Sequence, residues 1–283
     1  MNKNQISNIL VPTDFSDCAI KAIEATIPIA LSHNSSIVLL EVVSPIPELY
    51  GLHKDKATKE QQLTLIEQRL NRITKEAADL QLIHGVKIEP KIIVGQTVDS
   101  IVKVAEDRSV ELIVIGAHGI SGFREFLIGS IAYGVTEKAT CPVLTVPLSS
   151  KTLTFKKVMF PVRNIANALE KYTFLLEFIR KGTTELLVYG IFSDQDSHTQ
   201  DIENKITNFV QQVRQDGITI SSMTKNTDSD LADDVIKTAN KMNCDIIIIT
   251  SKVTTSIKDF FIGKFAQRVI NHSNLAVMHV PID

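Results

Sequence analysis

Apolar positions along the chain fall into short continuous runs separated by longer stretches with a period of three to four residues. Ile9-Leu10-Val11 is such a run and predicts a buried strand that stops at Pro12. From about Ser16 to Ser32, Ala19, Ile23, Ile27 and Ala30 recur at helical spacing, and Pro28 marks a place for a kink. Ile37 to Val43 is a second strand. A polar, proline-containing loop follows from Ser44 to about Lys59. Leu63, Ile66, Leu70, Ile73, Ala77 and Leu80 then line one face of a long helix. Val86 to Val94 reads as a third strand, Val98 to Ala105 as a third helix and Leu112 to Ile115 as a fourth strand. Val143 to Val146 is a fifth, with a helix before it. Strands alternating with helices predict a parallel sheet covered on both faces.

The second half repeats this order. Val158-Met159-Phe160-Pro161 mirrors the opening strand and its proline, and Leu186 to Tyr189 mirrors the second strand. Ile202, Ile206, Phe209 and Val213 give a long helix. Ile246 to Ile249 and Ala276 to Val280 mirror the fourth and fifth strands, and Pro281 mirrors Pro147. Pro161 lies 149 residues after Pro12, whereas Gly263 and Pro281 lie 134 residues after Gly129 and Pro147. The first half therefore carries about 15 extra residues, and the loop from Ser44 to Lys59 is the expected place for them. The expected domains are residues 1–148 and 155–283, joined by a short polar linker near Ser149 to Thr154. Each is expected to be a Rossmann-like α/β domain with a five-stranded parallel sheet flanked by helices. Val143 to Val146 and Val277 to Val280 are apolar strands suited to pairing the two halves within the chain. A homodimer is a further expectation.

Composition narrows the function classes. The chain has 283 residues, enough for two domains, with 44% hydrophobic and 22% charged residues. Its net charge of −2 and lack of tryptophan give no broad basic face and no stacking platform, so nucleic acid is not an expected partner. No apolar run approaches the roughly 18 residues that span a bilayer. Met1 to Asn8 is polar, without a signal-peptide core. The three cysteines form no C-x-x-C pair, which suggests reduced thiols and a cytoplasmic location.

Candidate chemistry concentrates after the fourth strand. Gly116-Ala117-His118-Gly119 is followed, nine residues on, by Gly129-Ser130, where the helix pattern of Ile131, Val135 and Ala139 begins. Ligands in open α/β sheets bind beyond the carboxyl ends of the strands. Glycines there let backbone approach a sugar or phosphate, and free N–H groups at a helix start favour an anion. A serine at that point caps the helix or binds phosphate. A glycine-rich turn that only bends the chain is the plainer reading.

The segment resembles the nucleotide loop of the universal stress protein family, G-x2-G-x9-G-[ST], at Gly116, Gly119, Gly129 and Ser130. Val11-Pro12-Thr13-Asp14-Phe15-Ser16 resembles that family's first strand and turn, and Leu40-Glu41-Val42 its second strand end. The resemblance extends over the chain as two copies. It implies ATP or ADP as ligand, accompanied by Mg or Mn, with Pro12, Thr13, Asp14 and Val42 toward the base and ribose. Gly116 and Gly119 would approach ribose and phosphate, and Gly129 and Ser130 would hold the phosphate tail. His118 matches a residue inside the family's loop, and a solvated loop histidine is an equal reading. In the second half the corresponding residues are Thr250, Val253 and Lys264, with Arg163 in place of Asp14. Only Gly263 survives, so that half is expected not to bind ATP in the same way. Lys264 and Arg163 either attract a different anion or are solvated surface charges.

Other motifs are absent from the sequence: there is no G-x-x-x-x-G-K-[ST] loop, no G-x-S-x-G elbow and no metal spacing among the seven histidines. Asp14 is the one acid expected near the phosphates, suited to a metal or to a turn. The leading expectation is a nucleotide-binding stress-response sensor or adaptor rather than an enzyme. The alternative is a slow ATPase, or a phosphoryl- or nucleotidyl-transferring enzyme, using Asp14 and a metal.

Overall fold

The computed structural model describes residues 6–45, 56–117, 128–150, 155–164, 184–194, 199–252 and 263–282, with 169, 175, 178 and 196. His118 and Gly119 of the glycine loop lie outside the described residues, as do Val253 and the linker from 151 to 154.

The first half runs β1 (Asn8–Pro12), α1 (Asp17–His33), β2 (Ser36–Val43), α2 (Lys56–His84) and β3 (Ile88–Val94). It continues through α3 (Thr97–Asp107), β4 (Leu112–Gly116), α4 (Ser130–Lys138) and β5 (Val143–Val146). The second half begins with β6 (Lys157–Val162), β7 (Glu185–Ser193), α5 (Thr199–Gln215) and β8 (Thr219–Thr227). It ends with α6 (Leu231–Lys241), β9 (Ile246–Lys252), α7 (Lys264–His272) and β10 (Ala276–Ile282).

Local chemistry fixes the ends of α1. Ser16 caps it, its hydroxyl accepting from Ala19 N at 3.3 Å, and Asp17 puts an acid in the first turn. Asn34 closes it in the left-handed region at φ 55°, a conformation that asparagine tolerates well. The helix continues through Pro28 to His33.

All ten strands join one sheet, in the order β3-β2-β1-β4-β5-β10-β9-β6-β7-β8. Pairing is parallel within each half. At the centre β10 meets β5 antiparallel, with Met278 opposite Leu144 and His279 opposite Val143. The Thr145 hydroxyl also donates to the Val277 carbonyl at 3.1 Å. One apolar cluster spans both halves on one face, through residues such as Val114, Leu144, Met278 and Ile248. Two smaller clusters cover the other face, and Ile128 packs against both.

Three sequence expectations change. The extra length of the first half lies largely in a helix: α2 has 29 residues and its counterpart α5 has 17. Helix begins already at Lys56, inside the stretch expected as loop. The apolar stripe of α2 is buried only toward its end. Ile73 and Ala77 are in the core, while Leu63 and Leu70 remain exposed. In addition, β8, for which the sequence offered no reading, forms from a polar segment with no apolar alternation, because an edge strand needs burial on few of its positions.

Candidate functional site

In the first half β1 lies between β2 and β4, so the strand order reverses there. Crossovers leave the sheet on opposite sides at such a point and open a crevice at the carboxyl ends of the strands. A cleft of about 390 Å³ occupies this position, within the size range of small-molecule sites.

The turn after β1 forms its first wall. Thr13 N donates to the Leu40 carbonyl at 2.8 Å, tying the turn to β2. The Thr13 hydroxyl accepts from Phe15 N at 3.0 Å, and Asp14 Oδ1 accepts from Ser16 N at 2.9 Å. These short-range bonds hold Phe15 at φ 59°, a left-handed conformation that reverses the chain into α1. The Asp14 carboxylate thereby has a structural partner and lines the cleft as well.

The second wall is apolar. Leu40 and Val42 from β2, Ile115 from β4 and Ile101 from α3 line it. Such a surface suits a flat heterocycle, whose transfer from water is favourable and needs no buried charge.

The third wall is the start of α4. Gly129 is its N-cap, in extended conformation, with no side-chain cap bond. Gly129 N donates to the Ala117 carbonyl at 2.6 Å, closing the ends of the glycine loop on each other. Ser130 is the exposed first residue of the helix and lines the cleft. The hydroxyl does not cap the helix, and the first-turn N–H groups form the positive end of the helix dipole. An anion is favoured at such a position.

Pro12, Thr13, Asp14, Val42, Gly116, Gly129 and Ser130 thus share one cleft. His118 and Gly119 cannot be placed with them, being outside the described residues. Gly116 has a different local reason from the one read in the sequence. A Cβ there would stand 2.6 Å from the Cys18 carbonyl oxygen, so the glycine is required by the packing of α1 on β4. Sequence reasoning missed Thr97, the polar first residue of α3, and Ile101, read only as part of that helix. The uncapped start of α3 beside a cleft wall was the available signal.

The described residues fit a nucleotide in their donor set: apolar walls for a base, an uncapped helix start with a serine for phosphates, and the Asp14 carboxylate for a divalent cation. Among the described residues there is no group of three or more His, Cys, Asp or Glu that could hold a metal on protein ligands alone. No helix among them is long and apolar enough to cross a membrane.

Comparison with known proteins agrees with this architecture. The family model described as "Universal stress protein family" matches residues 5–147 and again 162–281. A universal stress protein of Methanocaldococcus jannaschii is 32% identical over 151 residues, covering 49% of this chain and 93% of the relative. A universal stress protein of Bacillus subtilis is 27% identical over 153 residues, covering 50% of this chain and 98% of the relative. Among solved structures, a universal stress protein from Archaeoglobus fulgidus aligns with a TM-score of 0.78 at 19% identity. That alignment covers 98% of this chain and 99% of the other, and it bears on the fold alone.

Proposed function

Because the chain belongs to the universal stress protein family and carries its domain twice, we propose that its first half binds ATP or ADP, and that the protein acts as a nucleotide-dependent sensor or adaptor. The observation that carries this reading is the convergence of seven motif residues, from three separate stretches of sequence, on one cleft at the strand-order reversal. Leu40, Val42, Ile101 and Ile115 would receive the adenine. The start of α4 with Ser130 would receive the phosphates. Asp14 would hold Mg or Mn against them. His118 and Gly119 are assigned to the same ligand on the family resemblance.

Fast turnover is not part of the proposal. Phosphoryl transfer is catalysed mainly by positioned cations and a group that orients the attacking nucleophile. Among the described residues Asp14 is the one carboxylate lining the cleft, and its Oδ1 already accepts a backbone bond. The same residue is what supports the second reading, a slow ATPase or transferase working through Asp14 and a metal.

We further propose domain limits of 1–148 and 155–283, with the halves docked within one chain in solution. A cytoplasmic location is proposed on the three free cysteines, Cys18, Cys141 and Cys244. The test of the ligand is direct: protein purified without added nucleotide is denatured, and released small molecules are identified by mass. ATP or ADP in near-molar ratio supports the proposal. A different retained ligand in the cleft overturns it.

A further inference from the structure

The second half reverses the charge at the position of Asp14. Pro12 pairs with Leu40 and Pro161 with Tyr189, so the two half-sheets are in matching register. Two residues beyond each proline stand Asp14 and Arg163. Across from them, α4 begins Ser130-Ile131 after Gly129, and α7 begins Lys264-Phe265 after Gly263. Arg163 has turned toward α7: its guanidinium carbon lies 4.0 Å from the centroid of the Phe265 ring.

This arginine is not a solvated surface charge. It is partly buried, and loss of solvent pushes its pKa below the usual arginine value. Among the described residues no Asp or Glu forms an ion pair with it. Lys264 is the exposed first residue of α7, and Gly263 caps that helix without a side-chain bond. A desolvated guanidinium is normally paired, and its planar fork suits the two oxygens of a carboxylate or phosphate. Phe265 holds the guanidinium in place by a cation–π contact.

We propose that Arg163, held over the Phe265 ring, forms an oxyanion site in the second half that takes a carboxylate or a phosphate without a metal. In the first half the Asp14 carboxylate requires a cation before it can face an anion. Arg163 supplies that positive charge from its own side chain. The site does not depend on nucleotide binding by the first half.

The test is thermal unfolding of the full chain in sodium phosphate and in sodium citrate, against sodium chloride at matched ionic strength. One of the two oxyanions raises the melting temperature of the wild type above the chloride control, and which one does so separates phosphate from carboxylate. Arg163→Leu, which can still rest on Phe265, loses that rise, keeps the response to ADP with Mg, and melts no lower than wild type in chloride. Arg163→Lys keeps the charge without the planar fork and shows a reduced rise. Three results each overturn the proposal. They are no rise with either oxyanion, an equal rise in wild type and Arg163→Leu, and a marked loss of stability of Arg163→Leu in chloride alone, which would make the arginine a packing group.

Discussion

Gly116 and Cys18 are in backbone contact: a Cβ placed on Gly116 would lie 2.6 Å from the Cys18 carbonyl oxygen and 2.7 Å from its carbonyl carbon. Neither neighbour is the end of a flexible side chain. The first turn of α1 must therefore move for any larger residue to fit. Gly116→Ala is expected to destabilise the protein by about 1–3 kcal/mol, the usual range for overpacking. Urea unfolding measures this. An unchanged midpoint would mean that α1 is free to shift on β4.

Glu41 and Arg69 form an ion pair between β2 and α2. The Glu41 side chain is only 3% exposed, and its Oε2 has no hydrogen-bond partner, while Arg69 is 39% exposed. Removing the arginine leaves a buried carboxylate without its counter-charge, so Arg69→Ala should cost about 1–3 kcal/mol, less than a fully buried pair because water reaches the arginine. The double variant Glu41→Leu/Arg69→Leu should recover much of that loss. A double variant less stable than Arg69→Ala would show that the pair itself is the stabilising unit.

Acid should loosen the centre of the sheet. His279 on β10 stands opposite Val143 of β5 and is 1% exposed. Burial lowers its pKa from 6.5 to about 4. Between those values the unfolded chain binds a proton that the folded chain does not. Stability is then fully present above pH 6.5 and is lost as pH falls toward 4, by roughly 3 kcal/mol for this group. Denaturation midpoints across that window should fall in the wild type and fall less in His279→Leu. Parallel slopes would remove His279 from the acid response.

The antiparallel pairing of β5 with β10 covers what is otherwise a bare apolar strand edge in each half. A fragment of residues 1–148 should self-associate through β5, read by sedimentation or light scattering. A fragment that stays monomeric at high concentration, with the stability of the full chain, would count against docking of the halves in solution.

Strong apolar runs made the framework legible. Ile9-Leu10-Val11, Leu112 to Ile115 and Ile246 to Ile249 are buried strands, and their repetition at two offsets marks the doubled domain. The segment Thr219–Thr227 was illegible, because an edge strand takes its stability from one neighbour and shows no apolar alternation. The helical start of α2 was hidden by a polar composition that loops share. For the site, Gly116 and Gly129 both line the cleft, but spacing did not give the reason for Gly116. A sequence does not reveal that the Cys18 backbone lies against it. For Arg163 the sequence leaves open an anion-attracting or a solvated charge, and its contact with Phe265 becomes visible only in the fold.

Ser130 offers a clean way to separate ligand from fold. It is exposed and is the first residue of α4, where an acid favours the helix by about 0.3–1 kcal/mol. The same negative charge would repel a phosphate. Ser130→Asp should therefore bind ATP much more weakly while melting at or above the wild-type temperature. Equal ATP affinity would place the phosphates elsewhere.

Isothermal titration of the full chain with ATP and Mg, after removal of any retained nucleotide, tests the central claim most directly. The account predicts saturable heat with one site per chain, because the first half carries the cleft and the second carries Arg163, Thr250 and Lys264 in its place. A dissociation constant near the micromolar range, about −8 kcal/mol, would serve a sensor. No heat at millimolar ATP, or two equivalent sites per chain, would contradict it.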